Sequence, residues 1–318
     1  MAEFTFSLLS ALWLREADAE TLSRTGQISA LAPDGAGLGE LATAYADLFL
    51  LNVYPYASVF LDPNGEMNGA RAQEMRDVYE QYDYAPGALR EVGAADHIGL
   101  MLGLLAHEGR DAHSILPYLL DWAPVLCLAV EREPAAHSFY RALASETRRV
   151  LFAEMGSPDL EPRVRTLRLS GQASGHFAES ELELELESDP SALRAGLEFS
   201  GEEISLRSIV HRLLCPARSG VFLSRARLGA WARDLGVPLP FGGRFDVGVS
   251  LFEAAGVVDD TARLVDWLMA EVEEWDAAFT AWSEAGWGDY AIAWQARITR
   301  TARLLAEMRV LLLSTSPT

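Results

Sequence analysis

Apolar residues recur at helical spacing almost throughout the chain. Leu41, Ala44, Tyr45, Leu48 and Phe49 mark one stripe, and Ile98, Met101, Leu102 and Leu105 mark another, so the pattern predicts an all-α protein. Turn-rich breaks at Pro33 to Gly39, Pro63 to Gly69, Pro86 to Gly93 and Gly109 cut the first half into several helices of bundle length. A longer helix is expected from Pro134, well suited to a first turn, to about Met155, where Gly156, Ser157 and Pro158 stop it. From Asp159 to about Gly201 the pattern changes. The chain turns acidic, becomes poor in aromatics, and alternates strictly from Glu181 to Glu187. Alternation fits an extended strand with one apolar edge, yet a lone strand has no evident partner, and the composition fits a disordered linker equally well. The expected layout is therefore a helical domain over 1–158, an acidic linker over 159–201 and a second helical domain over 202–318.

In that last part, helices are predicted around Ile204 to Leu214, Leu223 to Leu235, Phe245 to Ala255, Thr261 to Ser283 and Asp289 to Leu313. It holds six of the eight tryptophans, and Trp267, Trp275 and Trp282 fall on roughly one face of a long helix. Such a stripe reads as core or interdomain packing in preference to a ligand box.

Composition narrows the function classes. Half of the residues are hydrophobic, yet no uninterrupted apolar stretch approaches the roughly 20 residues of a membrane span. The start of the chain carries Glu3, Arg15, Glu16 and Asp18 in a helical pattern without a basic leader, so a cytoplasmic location is expected. All 26 basic residues are arginine, which removes Schiff-base, P-loop and kinase chemistry. A formal charge of -20 repels phosphate backbones, so no nucleic-acid partner is expected; a cationic partner fits better, although acidic surfaces often serve solubility alone. Cys127 and Cys215 lack CxxC partners and read as buried small hydrophobes, with no zinc cage or disulfide framework.

Four blocks stand out. The first is Asn52-Val53-Tyr54-Pro55-Tyr56-Ala57-Ser58-Val59-Phe60-Leu61-Asp62, with two tyrosines flanking a proline before an apolar run. The second is Ala94-Ala95-Asp96-His97-Ile98-Gly99-Leu100. Leu119 to Pro124, containing Asp121 and Trp122, forms the third, and Ala136-His137-Ser138-Phe139-Tyr140-Arg141-Ala142-Leu143-Ala144 the fourth. In order, spacing and residue type these blocks resemble the redox-enzyme maturation chaperones of the TorD kind, which include the dimethyl sulfoxide reductase and nitrate reductase chaperones. The resemblance covers about residues 40–155. Two departures from the family pattern are Ala94 and Ala95, where a proline and an acidic residue often precede the Asp-His pair, and Tyr56, where relatives carry tryptophan. Members are also usually much shorter than this chain.

The resemblance implies a helical bundle of the TorD type, here with an additional C-terminal helical domain. It further implies a non-enzymatic cytoplasmic chaperone that binds the twin-arginine signal peptide of a molybdenum enzyme in its apo form. Export is held back until the cofactor is inserted, and the chaperone needs no cofactor of its own. A receptor for two arginines and an apolar helical stretch needs carboxylates beside apolar surface. Asp96 is a candidate bidentate acceptor for a guanidinium, and Asp62 a second negative charge near the rim. Tyr54, Tyr56 and Trp122 are candidates for flat apolar surface. Asp96 reads equally as the cap of a helix beginning near His97, and His97 as a packed core histidine or a peptide contact.

In the second half, Arg207, Arg212, Arg218, Arg225, Arg227 and Arg233 form a basic island that includes His211. Salt bridging to the acidic parts is the simpler account. The sharper one takes Arg218, Ser219 and Gly220 as an anion site ahead of a helix, suited to a phosphate-bearing cofactor precursor. Two other readings stay open. His97, His107, His113 and His137 lie close in sequence, as metal ligands of a hydrolase can, but without the usual His-Glu-x-x-His or Glu-x-x-His spacing. A plain interaction adaptor is the third class. A homodimer formed by helix exchange is open as well.

Overall fold

The computed structural model describes residues 2–28, 31, 35–109, 114–155, 205–239 and 241–315. The acidic segment 159–201, with its alternating run, lies outside them. Among the described residues the chain is all-α, as the apolar spacing predicts, and the extended pairing present is one isolated antiparallel bridge between Tyr56 and His97. These residues fall into two compact units. One lies within Met1–Glu161 and also takes Cys215–Ala217 and Phe222–Ala230; the other lies within Pro162–Leu214, Arg218–Val221 and Trp231–Thr318.

The first unit contains α1 (Ala2–Leu14), α2 (Ala19–Thr25), α3 (Leu38–Tyr45) running into a π-turn at Ala46–Leu50, α4 (Ala57–Leu61), α5 (Ala70–Gln81), α6 (Leu89–Val92), α7 (Ile98–Glu108), α8 (Leu116–Leu120), α9 (Ala123–Arg132) and α10 (Ser138–Met155). Each expected break separates helices, and the Pro86 to Gly93 break contains the short α6. Helix α10 starts at Ser138 and not at Pro134, because His137 Nδ1 accepts the Phe139 N–H at 3.1 Å and caps it there. Pro117 and Pro124 occupy the first turns of α8 and α9, where their missing N–H costs nothing.

α1 lies directly against α7. A methyl on Gly99 would meet Leu14 Cγ at 2.7 Å, so only glycine admits this approach, and Ser10 Oγ closes it by donating to the Gly99 carbonyl at 2.7 Å. Trp13, Tyr45, Phe49 and Tyr140 form a mostly edge-to-face aromatic core, with ring centroids 5.0 to 5.9 Å apart. Its polar tips are satisfied: Trp13 Nε1 donates to Thr147 Oγ1, Tyr45 Oη to the Trp13 carbonyl and Tyr140 Oη to the Leu41 carbonyl.

The second unit contains α11 (Leu206–Leu214), α14 (Arg244–Val257), α15 (Thr261–Trp282) and α16 (Gly288–Thr315); α12 (Pro216–Ser219) and α13 (Arg225–Leu235) begin in the first unit and end in the second. α15 and α16 fold back on each other through a π-turn, Ser283–Trp287, where Gly286 adopts φ 91°. Trp275 and Trp282 are buried with Phe279 and Trp294, and the half-buried Trp267 stacks on Trp231 at 5.9 Å, so the tryptophan stripe is packing. Cys127 and Cys215 are both buried.

Candidate functional site

The first two motif blocks meet at the starts of α4 and α7. The Ala57 N–H donates to the Asp96 carbonyl at 3.0 Å and the Ile98 N–H to the Pro55 carbonyl at 3.0 Å, which ties the two helix entries together. Asp96 is fully buried, and its Oδ2 accepts the Ser58 N–H at 2.7 Å. It therefore caps α4, across the chain, and not the helix that follows it. That helix, α7, is capped by His97, whose Nδ1 accepts the Gly99 N–H at 3.0 Å. Burial pushes the His97 pKa down to about 3, so the ring is neutral and its Nδ1 lone pair is available for the cap.

Tyr56 packs edge-on to His97 at 4.9 Å and donates its hydroxyl to the Val92 carbonyl at 2.7 Å; burial, aided by the nearby Asp96, raises its pKa to about 12. Tyr54 is partly exposed beside Leu50 and Leu51, two leucines that stand open at the surface. Trp122, expected to present a flat surface, is instead fully buried, with its ring 6.0 Å from Phe60 and its indole N–H without an acceptor.

One helical turn after Ser58, Asp62 is also buried. Its Oδ1 lies 3.3 Å from Arg71 Nε, and Arg71 Nη1 binds Glu74 at 2.9 Å. Burial raises the Asp62 pKa against the opposing pull of Arg71. Around this pair, Ser58 Oγ, Asp62 Oδ2, Asp96 Oδ1 and the Tyr118 hydroxyl are all buried without a hydrogen-bond partner. Besides burial, the Asp96 carboxylate helps to raise the pKa of Asp62, and both carboxylates help to raise that of Tyr118. Gly69 is required here, because a Cβ at that position would collide with Asp62 Oδ2.

This concentration of unsatisfied polar atoms, which also includes Arg71 Nε, is unusual, since each such group costs about 1–3 kcal/mol when left unpaired. A multi-donor cation entering beside Asp96 and Asp62 recovers that cost, and a guanidinium carries five donors in a planar fork. The sequence pointed to Asp96 and Asp62. Ser58 lay inside a motif block without being singled out, while Arg71, Tyr118 and Gly69 carry no local signal, since they reach the site through tertiary packing of α5 and α8.

The other candidates are engaged differently. Ser219 is buried, exchanges hydrogen bonds with Val221, and its carbonyl accepts from Thr301 Oγ1 at 3.0 Å. Gly220, at φ 79°, lies so close to α16 that a Cβ would sit 2.9 Å from the Trp294 carbonyl oxygen. The start of α13 is already served: Ser224 Oγ accepts the Arg227 N–H, and Asn52 Oδ1 the Ala226 N–H. Ser219 and Gly220 thus form a turn packed against α16. Of the basic island, Arg207 pairs with Asp246 at 3.7 Å. Among the described residues no three metal-ligating side chains converge; His97 and His137 spend Nδ1 on helix caps, His107 is exposed beside Glu108, and His113 lies outside the described residues.

Residues 14–122 match the family model described as nitrate reductase delta subunit. No curated protein and no solved structure matches the chain. The matched segment runs from the end of α1 to the start of α9. It contains Tyr54, Tyr56, Ser58, Asp62, Asp96, His97 and Trp122. That match, over about a third of the chain, is consistent with the redox-enzyme maturation chaperones of the TorD kind that the motif blocks resemble.

Proposed function

We propose that this chain is a chaperone for a molybdenum-containing redox enzyme, binding the enzyme's twin-arginine signal peptide and delaying export until the cofactor is in place. The observation that carries this reading is the buried pair Asp96 and Asp62, whose outer oxygens lack partners beside Ser58 and Tyr118. An arginine of the leader supplies donors to those oxygens, in charge-assisted hydrogen bonds worth more than neutral ones. Entry requires the Pro63 to Gly69 turn to swing away, a segment in which Gly65 and Asn68 already hold positive φ. The leader's apolar stretch then lies along exposed Leu50 and Leu51 with Tyr54.

The net charge of -20 favours encounter with a cationic leader. Among the described residues no helix is long and apolar enough to cross a membrane, which is consistent with action on the cytoplasmic side before export. No step of this function is chemical, and no metal or cofactor of the chaperone's own is invoked. The test is co-purification of the full chain with a leader-bearing molybdoenzyme before and after cofactor insertion. Retention of the apo form and release of the loaded form are expected; equal retention of both contradicts an escorting role.

A further inference from the structure

The site-bearing helix α4 is not completed by the first half of the sequence. Phe222 stacks on Phe60 with centroids 5.2 Å apart and rings inclined by 22°. The Cys215 thiol reaches the Asp62 and Pro63 carbonyls at 3.5 and 3.4 Å. Asn52, at the entry to the first motif block, accepts the Ala226 N–H at 2.8 Å. Cys215, Phe222, Leu223 and Leu228 are all buried. These contacts bracket α4 from both ends, at Asn52 before it and at Asp62 and Pro63 after it, and they also hold its middle at Phe60. A five-residue helix has no stability of its own, so its position is set by what packs on it.

We infer that Cys215–Ala217 and Phe222–Ala230 are part of the binding site, with Phe222 and Cys215 acting as positioning residues that hold Asp62 in register with Asp96. This rests on the proposed function for its ligand, though not for its structural content. Ser58, Phe60 and Asp62 project from a single turn and a half, so a tilt of α4 moves the Asp62 carboxylate relative to Asp96. Removing the ring beneath Phe60 costs geometry before it costs any contact with a ligand. The additional second half of this chain therefore bears on which peptides the first half accepts.

The experiment uses the full chain, with a fluorescent twin-arginine leader peptide as ligand and thiol labelling as a readout independent of any ligand. In the wild type, Cys215 should react as slowly as Cys127, since both are buried. In Phe222→Ala, Cys215 should label several-fold faster while Cys127 remains protected, and leader affinity should fall about tenfold, with a reduced preference for arginine over lysine in the peptide. Phe222→Tyr, which restores the ring, should recover both. Asn52→Ala loosens the same segment from its other end and should shift both readouts in the same direction, which keeps the test decisive if Phe222→Ala does not fold. Unchanged or tighter leader binding in the variants, with Cys215 opened, overturns the positioning role, and so does a Cys215 that stays as slow as Cys127. If the wild type binds no leader at all, the proposed function fails, and accelerated Cys215 labelling in the variants still upholds the structural part.

Discussion

Asp96 serves two purposes in this account, and substitutions separate them. Its Oδ2 accepts the Ser58 N–H and caps α4, while its Oδ1 has no partner and is assigned to the ligand. Asp96→Ala removes the cap. A lost cap costs about 1 kcal/mol, and the Ser58 N–H left buried without an acceptor raises the total to about 2–3 kcal/mol. For a cooperative unit the size of the first one, that corresponds to a melting temperature lower by roughly 4–12 °C. Asp96→Asn keeps the shape and the acceptor oxygen facing Ser58, so its stability should stay within about 1 kcal/mol of wild type. What it loses is the charge, worth about 1.5–3 kcal/mol toward a guanidinium, so leader affinity should fall about ten- to a hundred-fold. Thermal melts and fluorescence titrations of the three proteins read both quantities. If Asp96→Asn melts as low as Asp96→Ala, Oδ2 is not acting simply as a cap. If Asp96→Asn binds a leader as tightly as wild type, the ligand assignment of Oδ1 is wrong.

Three further outcomes follow from the geometry. His97 has a folded pKa of about 3 against an ordinary 6.5, so the stability it contributes is complete above pH 6.5 and is lost as pH falls toward 3, at up to about 1.4 kcal/mol per unit. His97→Asn keeps an N-cap acceptor but cannot titrate, and its stability should fall less steeply than that of wild type in melts between pH 7 and 4; identical slopes would show that His97 is not the titrating group. Gly220→Ala forces a side chain into a left-handed conformation against the Trp294 carbonyl and should cost about 2–4 kcal/mol in urea unfolding, whereas a neutral result would mean that the turn is not held as described. Trp275→Ala empties a fully buried site on α15 beside Phe279 and should cost about 3–5 kcal/mol, which a loss under 1 kcal/mol would contradict.

Helix periodicity made most of the elements legible. The stripes at Leu41 to Phe49 and Ile98 to Leu105 are buried faces, and in the second half the five predicted helices differ from the observed ones by no more than two residues at either end. Caps were less legible, because a cap depends on which side chain happens to face the free amides. Aspartate next to histidine reads locally as a cap by the aspartate, yet the bridge between Tyr56 and His97 turns Asp96 toward α4 and leaves His97 to cap α7. Trp122 sits next to an exposed Asp121, which hides from the sequence that its own ring points inward against Phe60.

Domain membership was the least legible feature. Cys215, Phe222 and Ala226 lie far from Asp62, Phe60 and Asn52 in sequence and pack in the same unit with them, something no local pattern signals. Ser219 and Gly220 resemble an anion-binding turn in composition. Glycine there instead permits close packing on α16, and the serine hydroxyl is spent on Val221.

The central claim is recognition of paired arginines by the Asp96 and Asp62 acceptors. The most direct measurement is an equilibrium titration of the full chain with two leader peptides that differ only in having both arginines replaced by lysines, on wild type and on Asp96→Asn. Lysine offers a single point of charge where arginine offers a planar fork. The account predicts at least about tenfold weaker binding of the lysine peptide to wild type, and a much smaller gap on Asp96→Asn. Equal affinity of the wild type for both peptides would contradict it.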